Sequence, residues 1–340
     1  MTGAAPRNPA VADGRPWTGR SRGGVVGNWI FVRLVRLLGV RPAYALLAFV
    51  ALYYVLCAPQ ARRASAEYRR RLEEWKSGGV DGWQRHSSIH PSIHPIFQSF
   101  LRLVSSWLRR LWGAYRHFFA FGQLLLDRVA ILAGRPGSFR IEFDGEEHMR
   151  SALQEGKGLV IVSAHCGNWE AAGHLLSRLG APVNVVAYRG ESAALRRFFE
   201  KALAEHRFSL IEADGSPDAA LAVMAALARG EVVAMHGDRV LGDEGVVVPF
   251  LGAPARFPAG PHAVAALSGS PLIHAFALRE GAYAYRFHAY PPERPRFGSR
   301  ETRSELLREW VLRFVTRLES KLRDYPLQWC NFYPFWESAT

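Results

Sequence analysis

The stretch Gly158–Glu170, GLVIVSAHCGNWE, decides how the chain is read, because an apolar run ends there in a cluster of polar side chains. Leu159 to Val162 is the kind of short, continuous apolar run that a central strand buries on both faces, and Trp169 to Leu179 carries helical spacing. His165 and Glu170 therefore fall in the connection between strand and helix, where open α/β sheets collect their chemistry. An imidazole takes a proton from a hydroxyl near neutral pH. A carboxylate five positions on, carried back by the turn, can hold its tautomer and stabilise the imidazolium. The pair comes without an obvious serine nucleophile, which suits direct transfer, the base activating an incoming alcohol or amine. The same two residues also fit a purely structural role, since the helix dipole favours a carboxylate in a first turn and an imidazole can bond nearby backbone.

Outward from this stretch, apolar runs and helical patterns alternate as in a doubly wound or closely related α/β fold. Strands are expected at Phe139–Phe143, Leu159–Val162, Val183–Ala187, Ser209–Glu212, Val232–Met235, Leu272–Leu278 and Ala284–Ala289. Helices are expected at Trp169–Leu179, Ser192–His206, Pro217–Ala228, Gly260–Ser268 and Arg303–Arg323. Gly237, Asp238 and Arg239 follow a strand and so open onto the same sheet edge as His165.

Several blocks in this order carry a family resemblance. HCGNWE (His165–Glu170), VNVVAYR (Val183–Arg189) and HGDRVLGDEGVVVPFLGAPARFPAGP (His236–Pro261) resemble the lysophospholipid acyltransferase superfamily, in the branch of the late acyltransferases of lipid A biosynthesis. YRHFFAFGQLLLDR (Tyr115–Arg128) and PLQWCNFYPFW (Pro326–Trp336) are similar to a subgroup of bacterial acyltransferases, and the resemblance runs roughly from Ser99 to Glu337. It implies a mostly parallel sheet flanked by helices, with His165 as the catalytic base and Glu170 as its acidic partner. It also puts Arg189 and Asp238 at positions that help form the acceptor and catalytic surface, and with Asn168 and Arg239 these residues are expected to bind substrate. The Pro-Glu-Gly and Gly-Thr-Arg-type motifs of the glycerolipid branch do not follow, which disfavours a glycerol-phosphate acceptor.

The chain has 340 residues and a net charge of +13, enough for one large α/β core and an N-terminal extension. Residues 1–140 hold 21 Lys and Arg against 6 Asp and Glu, whereas residues 141–340 hold 22 against 24. The basic excess is thus confined to the N-terminal part and implies an anionic partner. Its arginines are interleaved with apolar runs rather than with groove-reading motifs, so an anionic membrane is expected and nucleic acid is not.

Between Arg41 and Arg62 no residue is charged. Pro42 and Pro59 limit the helix expected there to about 16 residues, short of the roughly 20 that span a bilayer. Asn28–Leu38 sets Arg33 and Arg36 among apolar residues in the pattern of an interfacial helix. Arginines flank the apolar run on both sides, so the positive-inside rule selects no orientation. The organisation expected is a disordered head (residues 1–27) without a cleavable leader, a membrane-associated helical hairpin (28–76), a linker (77–96) containing SIHPSIHP, and the acyltransferase domain (97–340). A buried core helix is the alternative for the apolar run. Trp107, Trp112, Tyr115, Phe118, Phe119 and Phe121 lie among arginines in a helical pattern, as in an interfacial belt, and can also pack on the sheet.

Cys57, Cys166 and Cys330 show neither metal spacing nor a pairing pattern, which suits a reducing compartment. Cys166 sits beside His165, but neighbours on an extended chain point to opposite faces, and no covalent role is expected of it. The reading is an acyltransferase without metal or redox cofactor. It takes a fatty acyl chain from an acyl carrier protein or CoA thioester to a hydroxyl or amine of a membrane lipid or glycolipid, at the cytoplasmic face of the inner membrane. A thioesterase or lipid hydrolase using the same pair on water, and a non-catalytic membrane-binding protein, are the alternatives.

Overall fold

The computed structural model describes residues 25–78, 95–132, 139–168, 179–188, 208–213, 216–240 and 245–337. Seven strands form one sheet: β1 (Arg140–Asp144), β2 (Leu159–Ser163), β3 (Val183–Tyr188), β4 (Phe208–Ala213), β5 (Val232–His236), β8 (Leu272–Gly281) and β9 (Ala284–Ala289). Their order is β1-β9-β8-β2-β5-β3-β4, and every neighbouring pair is parallel except the hairpin β8–β9. All seven are the strands expected from the sequence, because strands covered on both faces read as unbroken apolar runs.

Alternate residues along β2 feed two cores. Val160 and Val162 join Val233, Phe276 and Leu278 against α6 (Pro217–Ala228), α7 (Gly260–Ser268) and α8 (Arg303–Asp324). Leu159 and Ile161 join Val183, Val185 and Ile273 against Met149 and Ala152 of α5 (Glu146–Gln154). Ser216 caps α6, its hydroxyl accepting from the Ala219 N–H at 3.4 Å, with Pro217 following.

Two features depart from the sequence reading. Strands β6 (Val246–Phe250) and β7 (Ala253–Phe257) form a separate antiparallel hairpin. Pro249 and Pro254 argue against a strand in the sequence. Here they face each other across a two-stranded ribbon, outside the main sheet's ladder, where a missing N–H is tolerated. The apolar run forms the 18-residue α2 (Val40–Cys57) rather than a shorter helix, because Pro42 falls in its first turn, where its absent N–H is harmless.

The N-terminal region is a layer of helices: α1 (Val25–Leu38), α2, α3 (Pro59–Lys76) and the 38-residue α4 (Pro95–Leu132). One stripe of α2, Ala43, Leu47, Ala51 and Val55, is buried, and Gly122 of α4 allows a close approach there. A Cβ at Gly122 would lie 2.2 Å from Leu47 Cδ1. The opposite side of α2 exposes Phe49, Leu52, Tyr53 and Leu56. By length and composition α2 could cross a membrane. The aromatics of α4 divide by burial: Trp107 and Trp112 are exposed, and Phe118 is buried against Phe332.

A buried polar knot ties this layer to the sheet. Asp127 of α4 is fully buried and accepts from Tyr285 Oη of β9 (2.6 Å), Arg279 Nε of β8 (3.1 Å) and the hydroxyl of Tyr44 of α2. The SIHPSIHP repeat lies outside the described residues. Asp127→Ala would leave a guanidinium that is 16% exposed without its counter-charge. It should cost about 3–5 kcal/mol of stability, with Asp127→Asn losing less. A wild-type urea midpoint for Asp127→Ala would show that the helices do not dock through this contact.

Candidate active site

The pairing of β2 with β5 sets Ser163 opposite His236, and the Gly237 N–H donates to Ser163 O at 2.7 Å. His165 and Asp238 each lie two residues beyond that pair, which brings two side chains 73 residues apart in sequence into contact. Asp238 Oδ1 accepts from His165 Nδ1 at 2.8 Å, and Oδ2 accepts from the His165 backbone N–H at 2.9 Å. Two further donors reach Oδ2: Trp329 Nε1 (3.1 Å) and Asn331 Nδ2 (2.9 Å).

Asp238 is fully buried. Burial opposes its ionisation, but the charges of His165, His236 and Arg239 and the His165 hydrogen bond outweigh this and hold it well below the usual carboxylate range. An ionised carboxylate on Nδ1 places the imidazole proton there and leaves Nε2 as the basic nitrogen. Burial, with help from Arg239 and Arg128, depresses the His165 pKa below the ordinary 6.5 against the pull of Asp238. The ring is thus neutral at pH 7, with 27% of the side chain open to solvent. This is the state a general base requires.

The C-terminal segment crosses over this connection. Cys330 N–H donates to His165 O (2.7 Å), Gly167 N–H to Gln328 O (2.9 Å), and Cys166 forms a bridge with Trp329. Gly167 has φ +75°, and a Cβ there would stand 2.0 Å from Ala277 O, so the turn requires glycine. The backbone N–H groups of Gly167 and Asn168 are both taken, the latter by Ala277 O at 2.8 Å. Neither is left to support developing negative charge. Cys166 is buried and its thiol is pushed well above its ordinary pKa by burial, which keeps it protonated.

The residues expected to bind substrate are placed unevenly. Asn168 is buried, with its Nδ2 donating to Leu124 O of α4 at 3.4 Å, so it faces the helical layer. Asp238 sits beneath His165 rather than on an acceptor surface. Arg239 is partly exposed, and donates from Nε to Asn331 Oδ1 (2.7 Å) and from Nη2 to Cys330 O (3.1 Å), holding the crossing segment down. Glu170, Arg189 and the helix expected from Trp169 lie outside the described residues.

The sequence reading missed His236, whose ring stacks on His165 with centroids 4.1 Å apart and a 31° tilt. It also missed Trp329, Asn331 and His117. Buried in α4, His117 contacts Ser65 Oγ of α3 through Nδ1 and Trp329 O through Nε2, both at 2.9 Å. All four stand within the blocks that carry the resemblance. His165, His236 and Asp238 offer ligand atoms within 4.8 Å of one another, as a metal site would. Three of the donors on Asp238 converge on Oδ2 and one reaches Oδ1, so the carboxylate is already engaged in hydrogen bonds.

A model of the bacterial lipid A biosynthesis acyltransferase family matches residues 118–338, which take in His117's neighbour and the whole of this site. The chain is 28% identical over 191 residues to the phosphatidylinositol mannoside acyltransferase of Mycolicibacterium smegmatis, covering 56% of this chain and 60% of that protein. Over 193 residues it is 27% identical to the phosphatidylinositol mannoside acyltransferase of Mycobacterium tuberculosis, covering 56% and 58%. The chain thus spans about three fifths of the length of these relatives.

Burial lowers the His117 pKa to about 4. A folded value below the unfolded 6.5 means that its contribution to stability is complete above pH 6.5 and is lost as pH falls through about 4. The amount is up to about 3 kcal/mol. His117→Gln, which does not titrate, should flatten the fall of the urea midpoint over this window relative to wild type. Identical slopes would show that His117 is not held neutral by the fold.

Proposed function

The chain belongs to the bacterial lipid A biosynthesis acyltransferase family, and we propose that it moves a fatty acyl chain from an acyl carrier protein or CoA thioester to a hydroxyl or amine of a membrane glycolipid, such as a lipid A-type acceptor. The observation that carries this reading is the contact of His165 Nδ1 with a buried carboxylate, which leaves Nε2 unengaged by Asp238, and burial holds the ring's pKa below its ordinary value. In the proposed reaction Nε2 takes the acceptor proton as the acceptor oxygen or nitrogen attacks the thioester carbonyl. The C–S bond then breaks, and the departing thiolate recovers the proton from the imidazolium. Asp238 orients the ring and balances its transient charge, a role the sequence reading gave to Glu170. Cys166 takes no part, and the reaction uses no metal or redox group.

The likeness to phosphatidylinositol mannoside acyltransferases supports a sugar-bearing lipid as acceptor. The exposed apolar side of α2, the exposed Trp107 and Trp112, and the exposed Arg109, Arg110 and Arg116 support attachment to an anionic membrane. We place the protein at the cytoplasmic face of the inner membrane.

His165→Ala should lower acyl transfer by at least about a hundredfold, measured with acyl thioester and membrane-extracted glycolipid, while Cys166→Ala keeps substantial activity and no acylated cysteine peptide is trapped. Near wild-type turnover in His165→Ala would remove the proposed base. Release of free fatty acid at the same rate with and without acceptor would favour a thioesterase. For the membrane, Tyr44 bonds Asp127, so deleting α2 would disturb the fold and the test is by substitution. Phe49→Asn with Leu56→Asn should weaken flotation with anionic vesicles, and salt should weaken it further. Unchanged flotation would show that this face of α2 does not meet the bilayer.

A further inference from the structure

We propose that His236 is a positioning residue, whose ring fixes the plane of the His165 imidazole and closes one of its faces to water. The inference deepens the reading of His165 as the base. A single hydrogen bond from Nδ1 to Asp238 Oδ1 at 2.8 Å fixes where one edge of the His165 ring sits, but leaves the ring free to rock about that bond. A second ring with its centroid 4.1 Å away removes this freedom, because rocking drives one flat face into the other.

His236 can serve as such a stop because it is itself held. It is the last residue of β5 and is paired with Ser163 in the sheet. The residue also lines a cavity of about 30 Å³ whose other walls include Ile161, Val185, Ala234, Ala275 and Phe287. His236 thus borders both this apolar space and the His165 ring. Shortening it would join the two and give water room beside His165.

The groups that act on His236 are His165 beyond β2, Asp238 and Arg239 beyond β5, and Arg128 of α4. Burial, with repulsion from His165 whenever that ring is charged and from Arg239 and Arg128, keeps its imidazole neutral against Asp238. A neutral ring can face the imidazolium that forms on His165 during turnover, whereas a charged one would repel it. Stacking needs a flat neutral ring and no exchangeable proton, so phenylalanine should replace His236 and alanine should not.

The test compares His236→Ala and His236→Phe by two measurements. One is the NMR titration of His165 in isotope-labelled protein, its signals assigned through His165→Gln. The other is the kinetics of acyl transfer. In His236→Ala the His165 midpoint should rise toward the ordinary 6.5 as water reaches the ring, and kcat should fall about ten- to a hundredfold with KM for the thioester changed less than about threefold. His236→Phe should restore both to near wild type. An unmoved midpoint and full kcat in His236→Ala would overturn the proposal. So would a His236→Phe as impaired as His236→Ala, which would make His236 an acid–base group in its own right. Should His236→Ala not fold, His236→Leu fills the volume without a flat face and gives the same contrast with His236→Phe. The titration needs no substrate. If it moves as expected while the wild type transfers no acyl chain to any acceptor, the function proposed above fails and the positioning stands.

Discussion

Asp238 is a carboxylate removed from water, and a buried charge of this kind is costly unless every lone pair finds a donor. Its four donors come from the backbone and ring of His165, from Trp329 and from Asn331. Satisfying it therefore forces the end of β2, the end of β5 and the crossing segment 328–331 to meet at one point. The rest follows from that meeting. Gly167 must be glycine because the chain passes against Ala277 to get there. Arg239 bonds Asn331 and Cys330 O to keep the segment in place, and His117 bonds Trp329 O from the helical layer.

The same demand explains how the helices belong to the catalytic unit. Two polar contacts from α4, His117 to Trp329 O and Asp127 to Arg279 and Tyr285, reach the crossing segment and the β8–β9 hairpin. A layer whose other side is apolar and arginine-bearing is thereby joined to the sheet edge that carries His165. In this arrangement the exposed apolar side of α2 and the His165 site belong to helices and a sheet joined by buried polar contacts.

Much of this was legible in the sequence where the signal is local. Parallel strands such as Leu159–Ser163 and Val232–His236 are runs of apolar residues, and Ser216-Pro217 marks the start of a helix by chemistry contained in two residues. His165 stood out for the same reason. The role of Asp238 did not, because it depends on the register of two strands more than 70 residues apart, and Glu170 was nearer in sequence. The His117 and Asp127 contacts were hidden among aromatics that read equally well as a membrane belt. The β6–β7 ribbon was hidden by prolines that only its position outside the main sheet makes acceptable. Glu170 and Arg189 fall outside the described residues.

The crossing segment has a consequence for the making of the protein. A ribosome delivers α1 to α4 first, then His165, then Asp238, and Trp329 and Asn331 well after both. Through that interval the contact of His165 with Asp238 is only half supported, since two of the four donors to Asp238 have not yet been synthesised. The hydrogen-bond set around Asp238 is thus completed only by residues that follow β9 and α8, so the order of translation makes the full support of His165 a late event in the making of the chain.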